Sequence, residues 1–499
     1  MPLARPLCTN RLPLLAAIAI LATPNLVFLA THLASPTIAV ATLACAAATL
    51  VLIVRDAAGS AARPLNLPLL AGCLATALAL CLLGGQGHVF FANEDWLLRD
   101  AVLRDLVVAP WPVGYVHGGE PNLLRAPLGL YLAPALAGKA LGLGAAHAAL
   151  DIHNTLLFGS ILYALVDAFQ PGRRRLWIAA TFVLFSGWDI VGFLKTGEPL
   201  AFGTHIEWWV PGLQFSSHVT QLFWVPNHAA AGWCFAAAYL AWRRGMAGLP
   251  TLVAVFGFGV FWSPLAAIGA APFVALAAIS DMRAGRLRVS DVACAALPAL
   301  ALLPVALYLA TDLGRVPRGE KHLGWAFWPN YLTFLTLEIG PVLLFLRHFG
   351  TGEIPVLRRA DLWVILVVLL AVPLYQIGGN DFVMRASIPA LALLAIAFAE
   401  RAWPAGEALR PERTRIALAV LAIGAITPLS EIVRAVRMPT YRISDCNMPT
   451  AARFPPNDGP LFHYVARASA ADTRVLKAPT TYLSADGRAT CWPDRATPP

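Results

Sequence analysis

Long apolar segments recur along almost the whole chain, and they constrain its fold more than any other feature. A helix needs about 20 mostly apolar residues to cross a bilayer. Only 13% of the residues are charged, against roughly 25% in a soluble globular chain. The pattern predicts an all-α polytopic membrane protein with about 13 transmembrane helices. The predicted spans cover residues 12–33, 36–54, 67–84, 148–168, 176–194, 219–241, 250–263, 265–280, 291–311, 331–348, 361–377, 386–400 and 416–434.

The positions of the positive residues predict the orientation of these spans. The formal net charge is +9, but no basic run has the interleaved aromatic residues of a nucleic-acid surface. The arginines lie mainly in short loops, which we place in the cytoplasm. The N-terminus is then cytoplasmic, with a retained first helix. Residues 1–434 form a transmembrane domain, and residues 435–499 form an extracytoplasmic tail.

The first large outside loop is predicted to cover residues 85–147 and to contain interfacial helices. Residues 126–143 are apolar enough to cross the membrane, but a crossing there would move two arginine-rich loops outside. We therefore predict a helix that lies in the membrane interface. The short spans 250–263 and 265–280 share a turn and could instead form one re-entrant hairpin.

Two adjacent acids, Glu94 and Asp95, lie at the start of this loop. Adjacent carboxylates at a membrane face either bind a divalent cation such as Mg²⁺ or Mn²⁺ or supply a general base. Asp95 and Arg99 are four residues apart, a spacing that supports a helix. We predict Glu94 and Asp95 as catalytic residues and as candidate metal ligands.

Polar residues crowd into the second outside loop and the helix that follows it. Inside a span such side chains cost free energy unless their polar groups are satisfied. Zinc is disfavoured, because no HExxH spacing occurs. We predict that His205, Glu207, His218 and Gln221 form a polar wall of a substrate cavity.

Later outside loops contain candidate phosphate ligands. Arg385 suits a phosphate group, although Asp381 is four residues away and could simply pair with it. Lys321 and His322 are weaker candidates of the same kind.

The tail contains Cys446 and Cys491. An oxidising compartment permits a disulfide between them, and we predict that bond.

Several sequence blocks resemble those of a known enzyme superfamily. The blocks are NEDWLLRDAVLRDL, LLRAPLGLYLAPALAGKALG, HIEWW, QLFWVPNHA and NDFVMRASIPAL. Together with the layout of spans and loops, they resemble the type C glycosyltransferases, which use polyprenyl-phosphate sugars. The chain departs from that pattern by an extra hairpin at residues 12–54 and by Asn-Glu-Asp in place of Asp-x-Asp.

The resemblance implies a function in the bacterial inner membrane. A sugar would pass from a polyprenyl-phosphate donor to an envelope glycan or lipid at the outer face. The resemblance implies that Asp95 or Glu94 is the general base or a metal ligand, and that Arg385 and Lys321 hold the donor phosphate.

Three other functions are compatible with the sequence. A transporter or flippase is the main alternative, although no internal repeat is visible. A polysaccharide polymerase or ligase would share the lipid-linked substrate. A structural scaffold gives no reason for polar residues on one face.

Overall fold

The computed structural model describes residues 9–59, 63–169, 172, 174–321, 324–325, 327–350, 356–404, 411–453, 461, 463–488 and 490–492. Within these ranges the protein is mostly helical. The helices are α1 (Leu12–Thr31), α2 (Pro36–Gly59), α3 (Leu67–Leu83), α4 (Asp95–Val108), α5 (Leu132–Leu141), α6 (Leu143–Asp167), α7 (Arg174–Val183), α8 (Asp189–Thr196), α9 (His218–Trp224), α10 (Pro226–Arg243), α11 (Leu249–Val260), α12 (Pro264–Arg283), α13 (Val289–Ala310), α14 (Phe327–Glu338), α15 (Gly340–Phe349), α16 (Arg359–Ala371), α17 (Asp381–Ala386), α18 (Ile388–Ala402), α19 (Pro411–Gly424), α20 (Ile426–Arg437) and α21 (Met448–Ala451).

Side-chain caps and prolines fix where several of these helices begin. The backbone N–H of Leu69 donates to Asn66 at 3.0 Å, and that of Ala266 donates to Ser263 at 2.9 Å. Such caps satisfy N–H groups that have no partner within the helix. Pro264 follows the Ser263 cap, in the first turn where its missing N–H costs little.

Among the described residues, five helices are long and apolar enough to cross a membrane: α1, α2, α6, α12 and α13. The number rises to seven if each of two bent pairs forms one span. These pairs are α14 with α15, bent by 51°, and α19 with α20, bent by 43°. Helix α11 has only 12 residues, so a full span at 250–263 and a re-entrant hairpin both remain predictions.

The segment predicted as one span at 176–194 is divided between α7 and α8. Residues 184–188 separate the two helices because their backbone groups bond to neighbouring elements. The N–H of Trp188 donates to the carbonyl of Leu337 at 3.0 Å, and the carbonyl of Phe185 accepts from His218 at 3.1 Å. These long-range bonds replace bonds that a continuous helix would make.

Two small sheets accompany the helices, so the protein is mostly helical rather than all-α. Four strands have the order β5-β2-β1-β6, and the other sheet pairs β3 with β4. The strands are β1 (Gly114–His117), β2 (Glu120–Leu124), β3 (Arg318–Glu320), β4 (Tyr375–Ile377), β5 (Val465–Arg467) and β6 (Tyr482–Leu483). The larger sheet joins the first loop to the tail, because β2 pairs antiparallel with β5 and β1 pairs parallel with β6.

The first loop packs into the protein rather than extending from it. Helix α4 is largely buried, and Trp96 donates from Nε1 to the carbonyl of Gly84 at 2.7 Å. Helix α5 covers only the later part of the predicted interfacial segment 126–143. Gly138 of α5 lies against Val107 and Ala146, so α5 packs on α4 and α6. Its depth relative to a membrane stays a prediction.

Candidate functional site

Asp95 begins α4 and lies in a polar recess. Its Oδ2 accepts from Nη2 of Arg99 at 2.9 Å, and 42% of its side-chain surface remains accessible. Burial of the rest of the side chain raises the pKa of the carboxyl above its ordinary value. The charges of Arg99 and Arg385 lower the pKa, whereas those of Asp381 and Glu94 raise it. Asp95 therefore titrates under the influence of residues from both the first loop and α17.

The second part of the site is the pair formed by Asp381 and Arg385. Nη1 of Arg385 lies 2.7 Å from Oδ2 of Asp381 across one turn of α17. Glycine at position 269 of α12 permits this placement, because a Cβ there would overlap the carbonyl oxygen of Ala386. The ion pair between Asp381 and Arg385, which the sequence left open as an alternative to phosphate binding, is present, and the same arginine lies close enough to influence Asp95.

Two buried arginine donors near Asp95 make no hydrogen bond. Within the described part of the chain, Nε of Arg385 and Nη1 of Arg99 have no acceptor. A buried donor without an acceptor costs free energy, and most such groups in proteins have a partner. Each arginine therefore carries one buried donor that no described residue satisfies.

A cavity of about 320 Å³ lies beside Arg385. Its apolar lining comes from the end of α11, the start of α12 and the end of α13. Positive and imidazole side chains also line it: Arg125, Arg318, Arg385, His228 and His463. A cavity lined by both apolar and positive side chains suits an amphiphile that carries a phosphate.

The tail contributes residues that sequence reasoning missed. His463 lines the cavity, and the carbonyl of Tyr464 accepts from the N–H of Arg125 at 2.7 Å. Burial lowers the pKa of His463, which favours the neutral form of its ring. Gly378 lies directly under that ring, with φ of +60° and no room for a Cβ. No local sequence signal links His463 to Arg385, because strand pairing between the loop and the tail brings them together.

His205 and Glu207 belong to a buried polar chain that leads toward this site. Nδ1 of His205 lies 2.8 Å from Oε1 of Glu431. Gln214 donates to Oε2 of Glu207 at 2.7 Å, and its own Oε1 accepts from Asn380 at 3.0 Å. Asn380 precedes Asp381 in sequence. Burial raises the pKa of Glu207 to about 7, and His205 opposes that rise.

The structure does not bring His218 or Gln221 to the cavity. Nδ1 of His218 lies 2.5 Å from the carbonyl of Phe182. Gln221 donates to the carbonyl of Ser216 at 2.8 Å and accepts from Trp233 at 2.9 Å. These contacts hold α9 against α7 and α10, a structural role that the helical spacing of the two residues could not reveal.

Lys321 lies outside the cavity wall. Its Nζ donates to the carbonyl of Gly212, which ties the loop around Lys321 to the loop around Gly212. Burial lowers the pKa of Lys321 to about 8. His322 lies outside the described residues.

The donor set at Glu94 and Asp95 is small for a protein-held cation. Among the described residues, no group of three or more His, Cys, Asp or Glu side chains is arranged as metal ligands. Calcium sites in proteins use six to eight oxygens, and magnesium sites are octahedral, whereas one oxygen of Asp95 is engaged with Arg99. The two residues alone do not fit such a site, so we derive no step through a cation.

Cys446 and Cys491 form a disulfide, with Cα atoms 5.7 Å apart. The bond closes the tail beside α4, where the N–H of Met448 donates to Oδ2 of Asp105 at 2.9 Å.

Comparison with protein-family models, with curated proteins and with solved structures found no match. The geometry of the site therefore carries the functional argument.

Proposed function

We propose that this protein is a membrane glycosyltransferase that moves a sugar from a polyprenyl-phosphate donor to an envelope glycan or lipid. The observation that carries the proposal is the cavity beside Arg385, which both apolar and positive side chains line. A polyprenyl chain would contact Leu265, Ile268 and Leu309. The phosphate would accept hydrogen bonds from the guanidinium of Arg385, whose side chain is 21% exposed.

Asp95 would act as the general base in this reaction. It removes the proton of an acceptor hydroxyl, whose oxygen attacks the anomeric carbon. The bond from that carbon to the phosphate oxygen breaks, and polyprenyl phosphate leaves with the bonding electron pair. Arg385 stabilises the added negative charge on the phosphate. A single displacement inverts the anomeric configuration.

The membrane arrangement is part of the same proposal. About 13 spans, an inner-membrane location, a cytoplasmic N-terminus and an outside tail would put the cavity at the outer face. Five to seven apolar helices and the clustering of arginines in short loops support it.

Release of polyprenyl phosphate tests this function. Purified wild type, Asp95→Asn and the control Asp472→Asn are each mixed with polyprenyl-phosphate sugars and envelope acceptors, and the free polyprenyl phosphate is measured by mass spectrometry. Asp472 is a carboxylate of the tail that pairs with Arg474, so its variant should retain wild-type release.

We expect Asp95→Asn to lose at least about 100-fold, the lower end of what a general base contributes. Equal release by all three proteins would remove Asp95 from the mechanism. No release by any folded protein, with donor and acceptors present, would favour transport of the lipid-linked substrate.

A further inference from the structure

A second cavity lies at the opposite end of α11, α12 and α13. The cavity beside Arg385 is at the end of α11, the start of α12 and the end of α13. The second cavity, of about 740 Å³, is at the start of α11, the end of α12 and the start of α13. The end of α2, the end of α10 and the residue before α16 complete it. Because α11, α12 and α13 alternate in direction, the two cavities lie at opposite ends of these three helices.

Arginines exceed acids in the lining of this cleft. Five arginines and three aspartates face it. These residues are Arg55, Arg243, Arg244, Arg286, Arg358, Asp56, Asp281 and Asp291. A lining with this excess of positive charge favours an anionic ligand.

The acids of the cleft already have partners. Oδ2 of Asp56 accepts from the N–H of Gly248 and from Thr251 Oγ1, each at 2.6 Å. Oδ1 of Asp281 accepts from Nη2 of Arg286 at 2.6 Å, and its Oδ2 accepts from Trp242 Nε1 at 3.1 Å. Arg286 neutralises Asp281, while Asp56 accepts only from neutral donors among the described residues and keeps its charge.

Arg55 and Arg244 are two arginines of the cleft that remain available. Arg243 is bound to Asp361, but the side chains of Arg55 and Arg244 make no ion pair or hydrogen bond with any residue that the structure describes. Both residues are exposed, and both line the cleft. Guanidinium groups in this state favour a phosphate, which they can bind through two parallel N–H donors.

The surroundings of the cleft are apolar. Val51 of α2 is 50% exposed, and Val289 and Val292 at the start of α13 are 88% and 57% exposed. Helices α2, α12 and α13 are each apolar enough to cross a membrane. A ligand whose phosphate reaches Arg55 and Arg244 would therefore have acyl chains beside these side chains. Basic pockets between transmembrane helices on the cytoplasmic side bind anionic lipid head groups.

We propose that this cleft binds the phosphate head group of an anionic membrane phospholipid through Arg55 and Arg244. The site differs from the donor cavity, and its occupant lies in the other leaflet. The proposal does not depend on the glycosyltransferase function, because it rests only on the cleft and its charges.

Native mass spectrometry of the full chain in detergent tests the proposal, with dioleoylphosphatidylglycerol titrated as the probe. Wild type is compared with Arg244→Gln, Arg55→Gln and the control Arg283→Gln. Arg283 ends α12 at the same face and is exposed, but it does not line the cleft. The side chains of both test arginines lack hydrogen bonds to described residues. Their variants should therefore fold, and a size-exclusion profile checks this.

We expect about fivefold weaker binding of phosphatidylglycerol for each test variant, the typical effect of one arginine at an anionic lipid surface. Arg283→Gln should bind as wild type does, and dioleoylphosphatidylcholine should bind weakly to all four proteins. Equal phosphatidylglycerol binding by all four would overturn the proposal. It would also be overturned if inorganic phosphate bound wild type more tightly than Arg244→Gln while phosphatidylglycerol bound both equally, since the ligand of the cleft would then be a soluble phosphate.

Discussion

At the scale of single residues, Asp95 is defined by the charges around it. Arg99 and Arg385 favour its ionised form, while burial, Asp381 and Glu94 favour its protonated form. A general base works only when it is unprotonated. The rate should therefore fall as pH falls through the raised pKa of Asp95, and it should be flat above that pKa.

In a plot of rate against pH, the acid limb is the fall in rate at low pH. Two variants should move this limb in opposite directions. Arg99→Gln removes a positive charge, which raises the pKa of Asp95 and moves the limb to higher pH. Glu94→Gln removes a negative charge, which lowers the pKa and moves the limb to lower pH. The measurement is the pH dependence of polyprenyl phosphate release. If both limbs stayed where wild type has them, a different group would be the base.

A pair of neighbouring glycines tests the position of His463. Gly378→Ala introduces a Cβ that overlaps the His463 ring, and φ at this residue is +60°. Gly379 has φ of +69° but no atom near its missing Cβ. Both variants should lose about 1–2 kcal/mol of stability from backbone strain.

Only Gly378→Ala should also weaken donor binding, because only that variant displaces His463 from the cavity wall. Thermal unfolding and equilibrium binding of polyprenyl phosphate separate the two effects. The same loss of affinity in both variants would show that backbone strain alone disturbs the site.

At the scale of elements, the four-stranded sheet brings the first loop and the tail together at the site. Strand β2 aligns with β5, which places His463 and Tyr464 next to Arg125. The disulfide between Cys446 and Cys491 closes this unit over 45 residues of sequence. The boundary at residue 435 stays a prediction, but strands of the tail are shared with the first loop.

Loss of the disulfide should loosen the tail selectively. Cys446→Ser should cost about 2–4 kcal/mol in the tail unit, and Cys491→Ser should have the same effect. Limited proteolysis should then cut residues 440–490 faster than in wild type, while the transmembrane helices stay intact. Peptide mapping that finds both thiols free in untreated wild type would contradict the bond.

At the scale of the whole molecule, the arginine-rich face and the tail should lie on opposite sides of the membrane. The variants Arg286→Cys and Arg474→Cys place one thiol on each of these two exposed surfaces. We expect a membrane-impermeant thiol reagent to label Arg474→Cys in intact spheroplasts, and to label Arg286→Cys only after lysis. Labelling of both variants in intact spheroplasts would contradict the predicted membrane topology.

Local sequence patterns predicted several of the helices. The apolar runs gave helices close to the expected positions for α1, α2, α3, α12 and α13. The spacing of Asp381 and Arg385 left both an ion pair and phosphate binding open; the ion pair is present, and phosphate binding stays a prediction. The division between α7 and α8 was missed because bonds to Leu337 and His218 replace helical bonds there. His463 and Arg125 were missed because only strand pairing across more than 300 residues brings them together.

The most direct test of the central claim is equilibrium binding of a polyprenyl phosphate to wild type, Arg385→Gln and the exposed control Arg474→Gln. Hydrogen bonds to a charged group contribute about 1.5–3 kcal/mol. We therefore predict at least tenfold weaker binding for Arg385→Gln and wild-type binding for Arg474→Gln. Equal affinity in all three folded proteins would contradict the assignment of the cavity beside Arg385 to a lipid phosphate.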